Sequence, residues 1–172
     1  SIVPSLINVY NYNASRKNES VNIFEVSETY VKIDNKMKES KKVAILMSGD
    51  LSETKWLGIK QTANFYLLKG IVINLLNYLG FKGRIVIDST CDINELHPYN
   101  KASIYIDREK VGYIGKVHPE ISKKDLYVCE INLTKVMTLH IKPIKNKEIS
   151  KYPTIKKDVA FVVDNNIKSL DI

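Results

Sequence analysis

The stretch LHPYNKASIYIDREKVGYIGKVHPEI, residues Leu96–Ile121, decides the fold. Within it, Ser103–Asp107 and Lys110–Gly115 are rich in β-branched and aromatic residues, which predicts two strands joined by a short turn. Gly112 and Gly115 lie inside the second predicted strand, where a glycine marks a bulge or the close approach of another backbone. The stretch therefore predicts an antiparallel hairpin.

A His-Pro pair stands at each end of this hairpin, with histidines at His97 and His118. Proline has no N–H and pushes the residue before it into extended geometry, so each pair should end a strand. The two histidines could instead meet and bind a metal, but no cysteine or carboxylate cluster completes a set of ligands. We therefore expect strand-end hydrogen bonds and no metal site.

Hydrophobic periodicity and turn residues divide the rest of the chain. Runs of β-branched residues predict strands, and apolar residues at three- and four-residue steps predict a helix that Gly80 ends. The predicted elements are a helix at Ser5–Arg16, a strand at Val21–Lys32, a charged linker or turn at Asp34–Lys42, a strand at Val43–Met47, a loop at Asp50–Lys60, a helix at Phe65–Leu79, a strand at Arg84–Asp88, a helical turn at Pro119–Lys124, a strand at Leu126–Ile131, and a short helix or extended segment at Thr134–Leu139. Consecutive strands with one strong helix predict an α+β fold, an antiparallel sheet backed by helices.

Composition sets the broad class. The chain has 172 residues, 44% of them hydrophobic, which suits one full domain with a fragment of a second. No apolar run approaches the roughly 20 residues that span a bilayer, and no signal peptide is visible. Because the chain starts at Ser1 without Met, we expect a piece of a longer polypeptide. Its two isolated cysteines suit a reducing cytoplasm. Cys91 and Cys129 are far apart, which predicts buried free thiols in a reducing compartment.

The net charge of +7 permits a polyanionic partner such as RNA. Only Arg16, Arg84 and Arg108 of the 26 basic residues are arginines, and lysine lacks the fork that grips phosphate in two places. A solvated lysine surface is the simpler interpretation. The sequence contains no phosphate-binding glycine loop, no GxSxG and no HExxH, so the motifs of independent enzymes are missing.

Several ordered blocks resemble the β subunit of phenylalanine–tRNA ligase. The blocks are Pro4–Ile7 with Tyr12-Asn13 and Arg16-Lys17, Asn22–Val26, Phe65–Gly70, the Gly112–Gly115 strand followed by His118-Pro119, and Lys151–Val163. The chain departs from the family pattern at Asn64 and Leu67, where acids are usual, and at Tyr99–Lys101, where Gly-Arg-Ser is common.

This resemblance implies a domain plan and an inactive core. Residues 1–141 would form a class II aminoacyl-tRNA synthetase-like core, 142–151 a linker, and 152–172 the start of a ferredoxin-like anticodon-binding domain. A class II active site needs an arginine on its second signature strand to hold the ATP α-phosphate. The corresponding stretch, Val21–Tyr30, carries Glu25 and Glu28 but no arginine. No catalytic, cofactor-binding or metal-binding residue is therefore expected, and ATP and Mg²⁺ would belong to the parent enzyme.

The resemblance also implies partners. They are the catalytic α subunit and tRNA, in an α2β2 heterotetramer. The first helix resembles the first class II signature, so its residues Leu6, Val9, Tyr10 and Tyr12 are the predicted subunit interface. The alternative is a stand-alone basic RNA-binding module unrelated to aminoacylation.

That alternative would interleave aromatic residues with lysines on one face of the sheet. Tyr99, Tyr105 and Tyr113 offer some of this pattern, although Tyr105 and Tyr113 suit core or subunit packing equally well.

Overall fold

The computed structural model describes residues 1–54, 56, 59–141, 155–160 and 162–164. In this part of the chain the backbone forms three α-helices and eight strands. They are α1 Val3–Ala14, β1 Asn22–Ile33, β2 Lys36–Met47, β3 Asp50–Thr54, β4 Ile59–Thr62, α2 Phe65–Leu76, β5 Ile85–Asp88, β6 Leu96–Ile106, β7 Glu109–Val117, β8 Tyr127–Asn132 and α3 Leu133–Thr138.

Six of the strands form one antiparallel sheet in the order β1-β2-β8-β7-β6-β5, and β3 pairs with β4 in a separate two-stranded sheet. The α+β class and the antiparallel sheet predicted from the sequence are confirmed.

Two layers of apolar side chains lie on opposite faces of this sheet, because successive strand residues point to opposite sides. On one face α2 and α3 cover a cluster that includes Leu68, Val72, Ile104, Cys129 and Val136. On the other face α1 covers a second cluster. Its buried members include Leu6, Tyr10, Leu46, Leu96 and Val128. The sheet is therefore the middle layer of a three-layer domain.

The predicted hairpin is present as β6 and β7. Asp107 and Arg108 at its turn both have positive φ (49° and 72°), the geometry that matches the twist of the flanking strands. The register shifts between Leu96 and Lys101, over the segment in which Pro98 offers no N–H. A second shift lies between Ile104 and Tyr105. Both predicted glycine close approaches are confirmed, since a Cβ at Gly115 would lie 2.9 Å from the Asn100 carbonyl oxygen and a Cβ at Gly112 would overlap the backbone of β8.

The charged segment Asp34–Lys42, predicted as a linker or turn, is mostly strand. Asp34 and Asn35 form the turn, with φ of 47° and 62°, and β2 starts at Lys36. This end of β2 pairs with β1 only, because β8 begins its pairing at Lys42. The high charge of this segment suggests a linker, because this half of the hairpin has no apolar layer that covers it and therefore no apolar pattern.

The predicted loop Asp50–Lys60 is also wrong in part, because it contains β3 and the start of β4. Thr62 Oγ1 donates to Asp50 Oδ1 at 3.1 Å, and Lys60 Nζ lies 2.9 Å from Asp50 Oδ2. These contacts link the first residue of β3 to β4. They are polar, so the sequence shows no apolar pattern for this sheet.

Helix α2 begins as predicted at Phe65 and continues through a π-turn at Asn77–Phe81. Gly80 there has φ +97°, which confirms that it ends the helix. The predicted helical turn at Pro119–Lys124 is only a hydrogen-bonded turn, in which the His118 carbonyl accepts from Ile121 N–H at 2.9 Å.

The chain divides into two compact units, Ser1–Lys142 and Pro143–Ile172. The predicted linker at 142–151 lies outside the described residues. Residues 155–160 and 162–164 form neither helix nor strand. A strand needs a partner for its backbone groups, and the described residues of this unit pair with none. No helix in the described ranges has the length and apolar character to cross a bilayer.

Candidate interaction surface

An apolar groove lies where β1 and β2 pass beside α2. Its volume is about 510 Å³, and its walls are almost entirely hydrocarbon. Phe24 and Val26 on β1, Leu51, and Ile71 and Leu75 on α2 are among the residues that line it. The groove exists because α2 covers the centre of the sheet and leaves the β1 corner open.

Strand alternation decides which side chains face this groove. Phe24 pairs with Ile45 and Val26 pairs with Val43, so these side chains share the α2 face of the sheet. Phe24 is 73% exposed and Val26 is 48% exposed. Large apolar groups beside an open groove form the kind of contiguous patch that marks a protein-contact site.

Strand β1 is also an edge of the sheet. In the described part of the chain it pairs only with β2, so its outer row of backbone groups has no strand partner. Natural edges of this length are usually shortened, bulged or covered, because an open edge pairs with other chains. The edge and the groove together form one surface suited to contact with another protein.

The four residues predicted as a subunit interface split into two pairs. Leu6 and Tyr10 are buried in the cluster beneath α1, so in this chain they pack the core and are not available to a partner. Val9 and Tyr12 are exposed. The Arg16 guanidinium lies over the Tyr12 ring, 3.5 Å from its centroid. Leu6 and Tyr10, four residues apart, share the face that α1 turns to the sheet, and Tyr12 lies nearly opposite Tyr10 around the helix.

Helix α1 is fastened to the sheet by Glu130, a buried carboxylate on β8. Its Oε2 accepts from the Ile2 N–H at 2.7 Å and from Ser1 Oγ at 2.8 Å, and its Oε1 accepts from Lys42 Nζ at 2.9 Å. Burial by itself raises the pKa of Glu130, but the hydrogen bonds from Lys42, Ile2 and Ser1 outweigh burial and hold that pKa below its usual value.

Sequence reasoning missed Glu130. The available signal was a single acid inside an apolar strand, which calls for a cation on a neighbouring strand. Tyr113 lies beside this network, and its hydroxyl is 3.3 Å from Ser1 Oγ. Burial is the main reason that the pKa of Tyr113 is raised to about 12. Tyr113 is therefore part of the packing against α1 and not an exposed stacking platform.

His118 directly follows β7, as predicted, whereas His97 is the second residue of β6, which continues through Pro98. His97 Nδ1 accepts the Tyr99 N–H at 3.2 Å, and His118 Nδ1 accepts the Glu120 N–H at 3.3 Å. Across the described ranges, no three His, Cys, Asp or Glu side chains are grouped so that they could hold a metal ion. Cys91 and Cys129 are free and buried, as predicted.

The arginines have local structural roles. Arg84 forms a bidentate pair with Asp107 at the hairpin turn and donates to the His140 carbonyl at 2.7 Å. The hydrogen bonds that Arg84 donates to the Asp107 carboxylate are the main reason that the pKa of Arg84 is raised. Arg108 lies at the tip of the same turn. Arg16 follows the end of α1, Arg84 precedes β5 and Arg108 is in the β6–β7 turn, so no arginine lies on β1 or β2, the two strands that border the groove.

Fold and surface together define the class: an α+β domain with a central antiparallel sheet, whose most distinctive surface is an open apolar groove at a strand edge. The chain belongs to the family described as "Phenylalanyl tRNA synthetase beta chain CLM domain", whose model matches residues 1–133. This confirms the resemblance drawn from the sequence blocks.

Curated relatives agree. The chain is 32% identical over 175 residues to the phenylalanine–tRNA ligase beta subunit of Bacillus subtilis (strain 168), with 98% of this chain and 22% of the relative covered. It is 33% identical over 172 residues to that of Listeria monocytogenes serotype 4b, with 96% and 21% covered. The beta subunit of Staphylococcus aureus is 31% identical over 178 residues, with 100% and 22% covered. The chain thus spans about a fifth of the length of these relatives.

Proposed function

We propose that this chain is a non-catalytic structural module of a phenylalanine–tRNA ligase β subunit. It docks the catalytic α subunit and so supports aminoacylation of tRNA in the cytoplasm, within an α2β2 enzyme. The observation that carries the proposal is the apolar groove beside the open edge of β1. The relatives are named beta subunits, which implies an alpha partner.

A structural role also fits the chemistry of the sheet. Adenylation of an amino acid places developing charge on the ATP phosphates, and fixed cations must meet that charge. Strand β1, which corresponds to the second signature strand of a class II core, has Glu25 and Glu28 and no arginine. We therefore propose a class II-like core that keeps its contact surfaces, while ATP and Mg²⁺ are bound elsewhere in the ligase.

The groove favours docking of a protein partner over a solvent-exposed role. Its walls offer hydrocarbon and few polar groups, as the buried centre of a protein interface does. Phe24 is the candidate anchor, because an exposed aromatic ring beside a pocket is the typical residue on which binding energy concentrates. The exposed pair Val9 and Tyr12 on α1 is a second, smaller contact on the opposite face.

The stand-alone RNA-binding alternative has less support. Tyr113 is half-buried and packs against the cluster beneath α1, so the series of exposed tyrosines that this alternative needs is incomplete. The relatives that cover the chain are ligase subunits.

The docking proposal predicts that Phe24→Ala with Val26→Ala weakens binding to the α subunit by about 30-fold or more, the factor expected for loss of a well-buried anchor. Both side chains are exposed in the chain by itself, so its melting temperature should change little. Affinity is measured by titrating labelled α subunit with the 172-residue chain.

The matched control is Val86→Ala on β5, an exposed valine on the opposite edge of the sheet. It should bind the α subunit as the unmodified chain does. If the groove variant binds normally and a Val9→Ala, Tyr12→Ala variant does not, docking uses α1 instead. Both variants could also bind normally while the groove variant lowers the melting temperature of the full-length β subunit. That result would mean that the rest of the β subunit, and not the α subunit, covers the groove.

A further inference from the structure

A second cavity opens at the first turn of α2, and it shares no lining residue with the apolar groove. Its volume is about 650 Å³. Residues from α2, β5, β6 and the start of β8 surround it. Those that carry polar or aromatic chemistry include Tyr66, Lys69, His97, Tyr99, Lys101 and Tyr127.

The charge of this cleft is one-sided. Two lysines and a histidine line it, and among the residues that the structure describes no carboxylate does. Lys101 Nζ donates to the Ile93 carbonyl at 2.9 Å, which holds the ammonium group in place while leaving further protons to donate. An anionic group is therefore the complementary ligand.

The aromatic rings of the cleft are unusually open. Tyr66 is 78% exposed and Tyr99 is 94% exposed. Neither ring is buried in the core, so the fold gains little stability from having tyrosine at these positions. Exposed aromatic rings beside cations are the groups on which unpaired bases stack.

Each of the two rings has one ring neighbour, and the backbone beside Tyr99 is fixed by a hydrogen bond. The Tyr99 N–H donates to His97 Nδ1, and the His97 and Tyr99 ring centroids are 6.2 Å apart. Phe65 supports Tyr66 edge-on at 5.7 Å. An edge contact removes some of the positions open to each ring, which lowers the entropy lost when a ligand binds.

We propose that this cleft binds a nucleotide of a single-stranded RNA segment, with a base on Tyr99 or Tyr66 and a phosphate near Lys69. A free nucleotide offers the same base and phosphate, whereas an acidic peptide offers the charge without a ring to stack. The proposal does not depend on α-subunit docking, because the two surfaces have different lining residues.

The test is the fluorescence anisotropy of a labelled ten-nucleotide single-stranded RNA titrated with the 172-residue chain. Removing a stacked ring typically weakens binding by at least about fivefold, so Tyr66→Ala with Tyr99→Ala should raise Kd by that factor or more. Lys69→Gln should weaken binding and reduce its dependence on salt by about one ion.

Tyr78→Ala is the matched control, because Tyr78 is 89% exposed and does not line the cleft. It should leave Kd unchanged. Equal losses for Tyr78→Ala and the cleft variants would overturn the proposal, as would equal affinity for a duplex of the same length. Competition with adenosine monophosphate distinguishes an RNA segment from a free nucleotide as the ligand. Displacement of the RNA only at millimolar concentration supports an RNA segment. Displacement at a concentration near the Kd of the RNA overturns that assignment in favour of a free nucleotide.

Discussion

At the scale of single residues, Glu130 links the first helix to the sheet. It is the only buried carboxylate of the described core, and the Ile2 N–H that it accepts lies at the start of α1. A negative charge at a helix N-terminus also interacts favourably with the helix dipole. Its ion pair with Lys42 crosses from β8 to β2. One side chain therefore connects three elements.

We predict that Glu130→Gln lowers the free energy of unfolding by about 2 kcal/mol at pH 7, as expected when a charged hydrogen-bond partner is lost. The pKa of Glu130 is lowered in the folded chain, so its charge stabilises the fold fully above the unfolded pKa near 4.5. That stabilisation disappears as the pH falls through the lower, folded pKa. Urea unfolding at pH 7 and at pH 3 measures the difference, which should shrink at the lower pH.

Asp125→Asn is the matched control for that experiment. Asp125 pairs with Lys116 at 2.7 Å, but its side chain is 66% exposed. Exposed ion pairs contribute roughly 0–1 kcal/mol, so this variant should unfold nearly as the unmodified chain does. A loss as large as that of Glu130→Gln would mean that net charge, and not the buried network, sets the stability.

At the scale of elements, the sequence predicted what local patterns determine. The hairpin, helix α2 and its glycine end, and strand β8 have turn residues or apolar periods that specify them. The first half of β2 has neither, because it is formed by pairing with β1 and both its faces are open. β3 and β4 are likewise held by contacts between Asp50, Lys60 and Thr62 that a single-sequence pattern does not show.

Gly112 is a point of close approach between β7 and β8. An added Cβ would contact the Glu130 carbonyl oxygen and lie 3.0 Å from Ile131 Cα, and both are backbone atoms that cannot move aside. We predict that Gly112→Ala lowers the free energy of unfolding by about 1–3 kcal/mol, the usual range for overpacking. Thermal unfolding followed by circular dichroism measures it.

Gly70→Ala serves as the control, since nothing lies within 4 Å of a Cβ there and Gly70 is inside α2. In a helix interior this change should stabilise the chain by about 0.5–1 kcal/mol. The two substitutions are chemically identical and should shift the melting temperature in opposite directions. A Gly112→Ala variant as stable as the unmodified chain would show that β7 and β8 can separate slightly without loss.

At the scale of the whole molecule, the family could be recognised from the sequence, but the apolar groove that we propose as the docking surface could not. Leu6, Val9, Tyr10 and Tyr12 share one helix, yet which of them face outward depends on how α1 lies on the sheet. The groove depends on which corner of the sheet α2 leaves uncovered, and that is set by tertiary packing. Phe24 and Val26 appear in the sequence as ordinary strand residues. Only the pairing register places them beside Ile71 and Leu75.

The whole domain should be unable to activate an amino acid. β1 and β2 contain lysines but no arginine, so they offer no guanidinium fork to an ATP phosphate. The arginines lie elsewhere: Arg16 over the Tyr12 ring, Arg84 in an ion pair with Asp107, and Arg108 in the β6–β7 turn. We predict that the 172-residue chain gives no phenylalanine-dependent exchange of pyrophosphate into ATP. A catalytic α subunit with its full β partner is the positive control in the same assay. Exchange that co-elutes with the chain through a second purification, and that disappears when β1 is altered by Glu25→Ala, would show that the sheet itself has catalytic groups and would contradict the structural role.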